Sequence, residues 1–131
     1  MEGDVVAGGF DPVEFGGRRF APSQTNNAYV FPGLGLGLTA TNARRVTDGM
    51  LLAAAGALAD QAEEALLREG TLFPPLSRIR SVSLRIATAV ARVAAAEGLT
   101  PGPLPDDLEA YLADSMYRPV YPRYLEPPQG P

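Results

Sequence analysis

Two patterns of apolar residues divide the chain. Up to about residue 37 they come as short β-branched and aromatic runs broken by glycine; beyond it they recur every three to four positions. Asp4-Val5-Val6-Ala7-Gly8 predicts a strand running into a loop, and Asp11-Pro12 a turn. Val13-Glu14-Phe15 and Arg18-Arg19-Phe20 flank Gly16-Gly17, which predicts a hairpin, because its tight turn needs positive φ at those two positions. Ala28-Tyr29-Val30-Phe31, closed by Pro32-Gly33, predicts a buried strand. Residues 38–46 then predict a short helix. Thr47 is placed to cap a second helix, with Asp48 in its first turn and Met50, Leu51, Ala54, Ala55 and Leu58 on one face. Its second half turns polar at Asp60, Glu63, Glu64 and Arg68, and Gly70 is its natural stop. After the stiff linker Phe73-Pro74-Pro75-Leu76, Ser77 can cap a third helix running to about Glu97 before Gly98. Ile79, Val82, Ile86, Val90 and Val93 form its apolar stripe. Beyond the Thr100 to Pro105 loop, residues 106–116 predict an acidic helix with Leu108, Tyr111 and Leu112 inward, and a proline-rich tail follows.

The front strands are too few for a sheet of ordinary size. They are expected to be the end of a sheet whose other strands lie elsewhere, in a chain that begins in mid-domain. The chain is one domain's length at 131 residues. It has no His, Cys, Trp or Lys; all 11 basic residues are Arg. Nucleophile–base pairs of the Ser-His or Cys-His kind cannot be built from it, nor can a lysine base. Asp, Glu and Tyr remain as acid–base groups. A net charge of -4 argues against nucleic acid as a partner. No apolar run reaches the roughly 18 to 20 residues that span a bilayer, and with Glu2 and Asp4 at the front no basic, apolar-cored leader is expected. With cysteine also absent, the expected location is the cytoplasm.

Candidate chemistry gathers where the two patterns meet. Gly33-x-Gly35-x-Gly37 suggests a dinucleotide loop, but the sixth position of that fingerprint is Leu38 and no second strand follows to carry the acid. Close packing of small residues against a neighbouring backbone is the other reading. Asn26-Asn27 offers amide donors and acceptors that could orient a hydroxy acid or a carboxamide; both side chains could equally cap the loop backbone. Arg78, Arg85 and Arg92 recur every seven residues on the third helix, as an anion or subunit contact or as a solvated face. Asp106-Asp107 and Glu63-Glu64 read as surface charge, since adjacent helical residues do not face the same way. Tyr117, Tyr121 and Tyr124 among prolines read as a docking strap or a loosely held tail.

Gln24-x-Asn26-Asn27-Ala28-Tyr29-Val30-Phe31-Pro32-Gly33-Leu34-Gly35-Leu36-Gly37 and Ala43-Arg44-Arg45-Val46-Thr47-Asp48-Gly49-Met50-Leu51 together resemble the malic enzyme family. The likeness continues through Leu72-Phe73-Pro74-Pro75-Leu76-Ser77 and Ile79-Arg80-x-Val82-Ser83 to Met116-Tyr117-Arg118-Pro119. Upstream, Glu2-Gly3 and Phe10-Asp11-Pro12-Val13 fit as well. The resemblance implies oxidative decarboxylation of malate to pyruvate with NAD or NADP and a divalent metal, Mg or Mn. The implied fold class is α/β. Residues 1–46 would be the last strands and helix of a Rossmann-type NAD-binding domain, and 47–131 a mostly helical C-terminal segment with its proline-rich tail. By the same resemblance Asn27 would bind malate and Asn26 would lie near the nicotinamide.

The family's catalytic Tyr and Lys, its metal ligands and its dinucleotide glycine motif lie upstream of anything in these residues. This chain also has Ala7-Gly8-Gly9 where the family has a Ser-Gly-Ser-Pro-type loop. Besides an independent nucleotide-binding domain, two functions stay open at this stage. One is the C-terminal part of a malic enzyme, inactive alone and working with the remainder of the polypeptide in a homo-oligomer. The other is a non-catalytic interaction module derived from that part.

Overall fold

A computed structural model describes residues 11–21, 25–62, 67, 71–118 and 120. Its elements are a hairpin of β1 (Val13–Phe15) and β2 (Arg18–Phe20), a 3-10 turn (Asn27–Tyr29), α1 (Phe31–Ala40), α2 (Asp48–Ala59), a second 3-10 turn (Leu76–Arg78), α3 (Ile79–Ala96) and α4 (Leu108–Ser115). The hairpin is antiparallel, with Val13 opposite Phe20 and Phe15 opposite Arg18. Gly16 and Gly17 both take positive φ, as a two-residue turn requires. The Arg18 guanidinium lies 5.5 Å over the Phe20 ring.

α3 is the axis of the fold. Its stripe of Val82, Ile86, Val90 and Ala94 is fully buried against α1 and α2, with Ile79 and Val93 at the margins. Its other flank, Ala87 and Ala91, packs on Leu108 and Leu112 of α4. Each large aliphatic side chain removed from water in this way contributes about 1.5–3 kcal/mol. α2 begins at Thr47, whose Oγ1 accepts from Met50 N at 3.3 Å. It buries Met50, Ala54 and Leu58 and leaves Leu51 and Leu52 outside. α3 ends in a Schellman turn: Gly98 stands at φ 66, and Leu99 N donates to Ala94 O. No described helix is long and apolar enough to cross a membrane.

Leu51 and Ala55 of α2 and Tyr111 of α4, expected to face inward, are exposed. The structure corrects four further expectations. Residues 28–31 are not a strand. Asn26 caps a 3-10 turn there, and Pro32 sits in the first turn of α1 rather than closing a strand. A proline in that place starts a helix, because its φ is already helical and the N–H it lacks has no helical partner anyway. The helix expected at 38–46 is α1 itself, shifted upstream and finished by Ala40. Asn42 takes φ 50, with Asn42 N bonded to Thr39 O and Ala43 N to Leu38 O, a second Schellman stop built on Asn instead of Gly. α2 ends at Ala59, well before the expected stop at Gly70; Glu63, Glu64, Arg68 and Gly70 lie outside the described residues. Ser77 does not cap α3, which is entered directly from the Leu76–Arg78 turn without a side-chain cap. The strand expected at residues 4–8, the Ala7-Gly8-Gly9 loop, and Tyr121 and Tyr124 of the tail also lie outside the described residues.

Candidate functional site

The turn that enters α1 carries both asparagines. Asn26 has extended backbone, and its Oδ1 accepts from Ala28 N at 2.8 Å. Tyr29 N donates to Asn26 O at 3.2 Å, and Val30 N to Asn27 O at 3.1 Å. Asn26 therefore performs the capping role, which occupies its side-chain oxygen and leaves its NH2 to donate. Asn27 is exposed, and its carboxamide has no hydrogen bond to any described residue. The turn thus separates the pair: one amide shapes the backbone and the other faces outward.

Two residues on, the chain is held firmly. Tyr29 is 4% exposed, its hydroxyl donates to Pro74 O at 2.7 Å, and its ring stacks on Phe73 with centroids 5.1 Å apart. Burial of the phenol disfavours its anion and raises its pKa above the ordinary tyrosine value. Thr71 Oγ1 donates to Ala21 O at 2.6 Å, so residues 71–75 grip the chain on both sides of the asparagine turn. Sequence reasoning took Phe73-Pro74 for a linker only. The contact spans 45 positions, and no local periodicity reports it.

The glycines of α1 have a packing role. A Cβ on Gly33 would fall 2.7 Å from Ile86 Cβ and 2.7 Å from Ser83 O; one on Gly37 would fall 2.8 Å from Ala87 O. Both faces are filled by α3, so neither glycine is open to a pyrophosphate. Gly35 meets nothing within 4 Å. The close-packing alternative is the one observed.

Two other features lie apart from this turn. Arg85 and Arg92 line a cavity of about 340 Å³ with Asp60, Thr88 and Glu109, and no ion pair joins these four charged side chains. Arg78, the residue that enters α3, does not line it. An apolar hollow of about 320 Å³ lies between Pro32, Leu36, Ile79 and Tyr117. Neither asparagine lines either cavity. Asp107 caps α4 through its Oδ1 on Ala110 N at 3.0 Å, a helix-terminal role. Among the described residues no three acidic side chains converge as metal ligands would.

Comparison with known proteins gives the chain its relatives. Residues 3–95 match the malic enzyme, NAD binding domain family. The chain is 53% identical over 116 residues to a chloroplastic NADP-dependent malic enzyme of Zea mays, an overlap of 88% of this chain and 18% of the maize protein. It is equally 53% identical over 116 residues to a NADP-dependent malic enzyme of Populus trichocarpa, covering 88% of this chain and 20% of that protein. A chloroplastic NADP-dependent malic enzyme of Oryza sativa subsp. japonica is 51% identical over 116 residues, 88% of this chain and 18% of the rice protein. The chain spans about a fifth of the length of these relatives. They also overturn the expected cytoplasmic location, since the maize and rice proteins are chloroplastic. Lack of cysteine removes disulfide chemistry but does not distinguish one reducing compartment from another. On the match across residues 3–95 and these identities, the chain belongs to the malic enzyme family.

Proposed function

We propose that this chain is the C-terminal part of a malic enzyme, which oxidatively decarboxylates malate to pyruvate and CO2 with NAD or NADP, and that Asn27 is the group by which it holds malate. The observation that carries this reading is the exposed carboxamide of Asn27, without a hydrogen-bond partner among the described residues, on a turn that is fixed to the core two residues later. A carboxamide can donate to a carboxylate and accept from a hydroxyl at once, without adding charge beside a dianion. Asn27 would orient the malate hydroxyl or carboxylate so that hydride leaves toward the nicotinamide, which accepts it when bound. Asn26 keeps its NH2 for the nicotinamide side of the site, its oxygen being spent on the cap. The names of the relatives favour NADP.

The rest of the machinery would come from the remainder of the polypeptide. These 131 residues have no Lys and no His, so the lysine that the resemblance implies is not among them. The implied divalent metal does not fit the described residues, because no set of acidic side chains among them converges to bind it. Nor do Gly33 and Gly37 fit a pyrophosphate, since α3 fills the space beside them. We assign residues 1–46 to the end of the nucleotide-binding domain and 47–131 to the helical C-terminal segment. α1 and α3 share one core across that division, so the segment serves as a buttress for the asparagine turn. Phe15 is 79% exposed on the hairpin and Leu52 is 75% exposed on α2, apolar surface that suits contacts with the remaining polypeptide and with a second copy in a homo-oligomer.

The test is a hybrid enzyme in which this chain replaces the matching segment of the maize relative. The hybrid should reduce NADP with malate, while the 131-residue chain alone should not. In the hybrid, Asn27→Ala removes one hydrogen bond to a charged group, about 1.5–3 kcal/mol. The expected fall in kcat/KM is about 10- to 150-fold. A hybrid that folds and assembles like its parent but is inactive overturns the reading in favour of a non-catalytic module. Unchanged kcat/KM in Asn27→Ala overturns the role of Asn27.

A further inference from the structure

We infer that Tyr29 is a positioning residue for malate binding, acting through a clamp with Phe73 and Pro74 that fixes the direction of the Asn27 carboxamide. The inference rests on the malate-binding reading of Asn27 and says what makes that side chain competent. A 3-10 turn of three residues has little cohesion of its own. The bonds that close this one are local and lie at the exposed asparagines. With three residues per turn, side chains two positions apart point about 120° from one another. Driving Tyr29 inward therefore turns Asn27 outward, and any rolling of the tyrosine rolls Asn27 by the same angle.

Three features hold the tyrosine. Its ring is buried and stacked on Phe73. Its hydroxyl donates to the carbonyl of Pro74, a residue fully buried in the core. Pro74 is followed by Pro75, and two fixed φ angles present that carbonyl with little freedom to follow a moving partner. Thr71 on the same segment holds Ala21 on the upstream side. The clamp therefore ties the turn to a stiff segment 45 positions away rather than to its own helix.

The experiment is a double-mutant cycle in the hybrid enzyme, with separate readouts for malate and dinucleotide. Tyr29→Phe keeps the stack and removes the hydroxyl; Phe73→Leu keeps the hydroxyl and removes the ring stack. Each should raise the KM for malate about five-fold, the worth of one modest hydrogen bond, with the KM for NADP moving less, because Asn26 is held in addition by its own cap on Ala28 N. In the Asn27→Ala background neither should add a further rise, because the residue they position is gone. Malate and NADP constants that move together, or losses that add fully in the Asn27→Ala background, overturn the inference and leave a merely structural tyrosine. If Asn27→Ala raises the malate KM while Tyr29→Phe and Phe73→Leu do not, the clamp alone is refuted. If Asn27→Ala itself has no effect, the malate reading falls and takes the clamp with it. Should Tyr29→Phe fail to fold, Phe73→Leu decides. Hydrogen exchange on the 131-residue chain gives an independent check: in Tyr29→Phe the amides of Tyr29 and Val30 should exchange faster while those of α2 keep their protection. A uniform increase across the chain counts against the clamp.

Discussion

The contact between α1 and α3 makes a quantitative prediction from two glycines two residues apart. Gly33→Ala places a methyl 2.7 Å from Ile86 Cβ and from Ser83 O. Ordinary van der Waals contact begins near 3.4 Å, so the helices must part by most of an ångström. Neither obstacle can rotate away, because one is a Cβ and the other a backbone carbonyl. Overpacking of this kind costs about 1–3 kcal/mol. Against it stands the helix-propensity gain of Gly to Ala, about 1 kcal/mol. Gly35→Ala collects the same gain with nothing within 4 Å to oppose it. The difference between the two variants cancels the propensity and isolates the contact. Gly35→Ala should be the more stable by about 1–3 kcal/mol. With a urea m-value of about 1–3 kcal/mol/M, the midpoints of the 131-residue chain by far-UV circular dichroism should differ by roughly 1 M. Gly37→Ala, facing Ala87 O at 2.8 Å and Val90 Cβ at 3.0 Å, should fall with Gly33→Ala. Coincident midpoints for Gly33→Ala and Gly35→Ala would refute the close approach of the two helices.

Three further expectations follow from single side chains. Asn42→Gly should hold or raise stability by a few tenths of a kcal/mol, and Asn42→Ala should lose about 1 kcal/mol, since φ 50 suits glycine and strains alanine; urea midpoints decide it. Ile86→Ala, at a fully buried position between α1 and α2, should cost about 2–5 kcal/mol by the same assay, and a loss under 1 kcal/mol would place Ile86 outside the core. Burial raises the Tyr29 pKa in the folded state above its unfolded value near 10. The folded chain therefore keeps a proton that the unfolded chain loses, so this contribution is intact below about pH 10 and is lost as pH rises through the folded value. With no Lys in the chain to titrate in that range, stability against pH should fall less steeply above pH 10 in Tyr29→Phe than in the parent.

What could be read from the sequence was local chemistry. The Gly16-Gly17 turn, the Thr47 cap, the Gly98 stop and the α3 stripe each need only neighbours within a turn or two, and each is where the sequence places it. The errors cluster at α1. Tyr29, Val30 and Phe31 have strand-like side chains, and three glycines lower helix propensity, so local preference pointed away from a helix. What makes α1 helical is α3, whose Ser83, Ile86, Ala87 and Val90 accept a backbone that only glycine can bring so near. The candidate site was half legible. The asparagine pair could be marked from its amides, but the two readings treated both side chains alike, and the division between a capping Asn26 and an outward Asn27 was not foreseen. The Phe73 and Pro74 support could not be marked, because it depends on a fold that brings residues 45 apart into contact.

The same α1 ties stability to the site. Its glycines give up roughly 1 kcal/mol each in intrinsic helix preference, so the helix owes its existence to tertiary contact rather than to its own sequence. Its first turn has no side-chain cap at Val30, which leaves the end nearest Asn27 the least self-supporting part. That end is where the Tyr29 clamp acts, while Gly33 and Gly37 fix the next two turns onto α3. Asn27 is thus positioned by two tertiary anchors on either side of a weak local element. Disturbance of the α1–α3 contact should therefore reach Asn27 more readily than an equal loss of stability on the outer face of α2, where Leu51 and Leu52 are exposed. A site organised in this way draws its precision from the helical segment behind it. On the proposed reading of Asn27, the residues after α2 would support substrate positioning without touching the substrate.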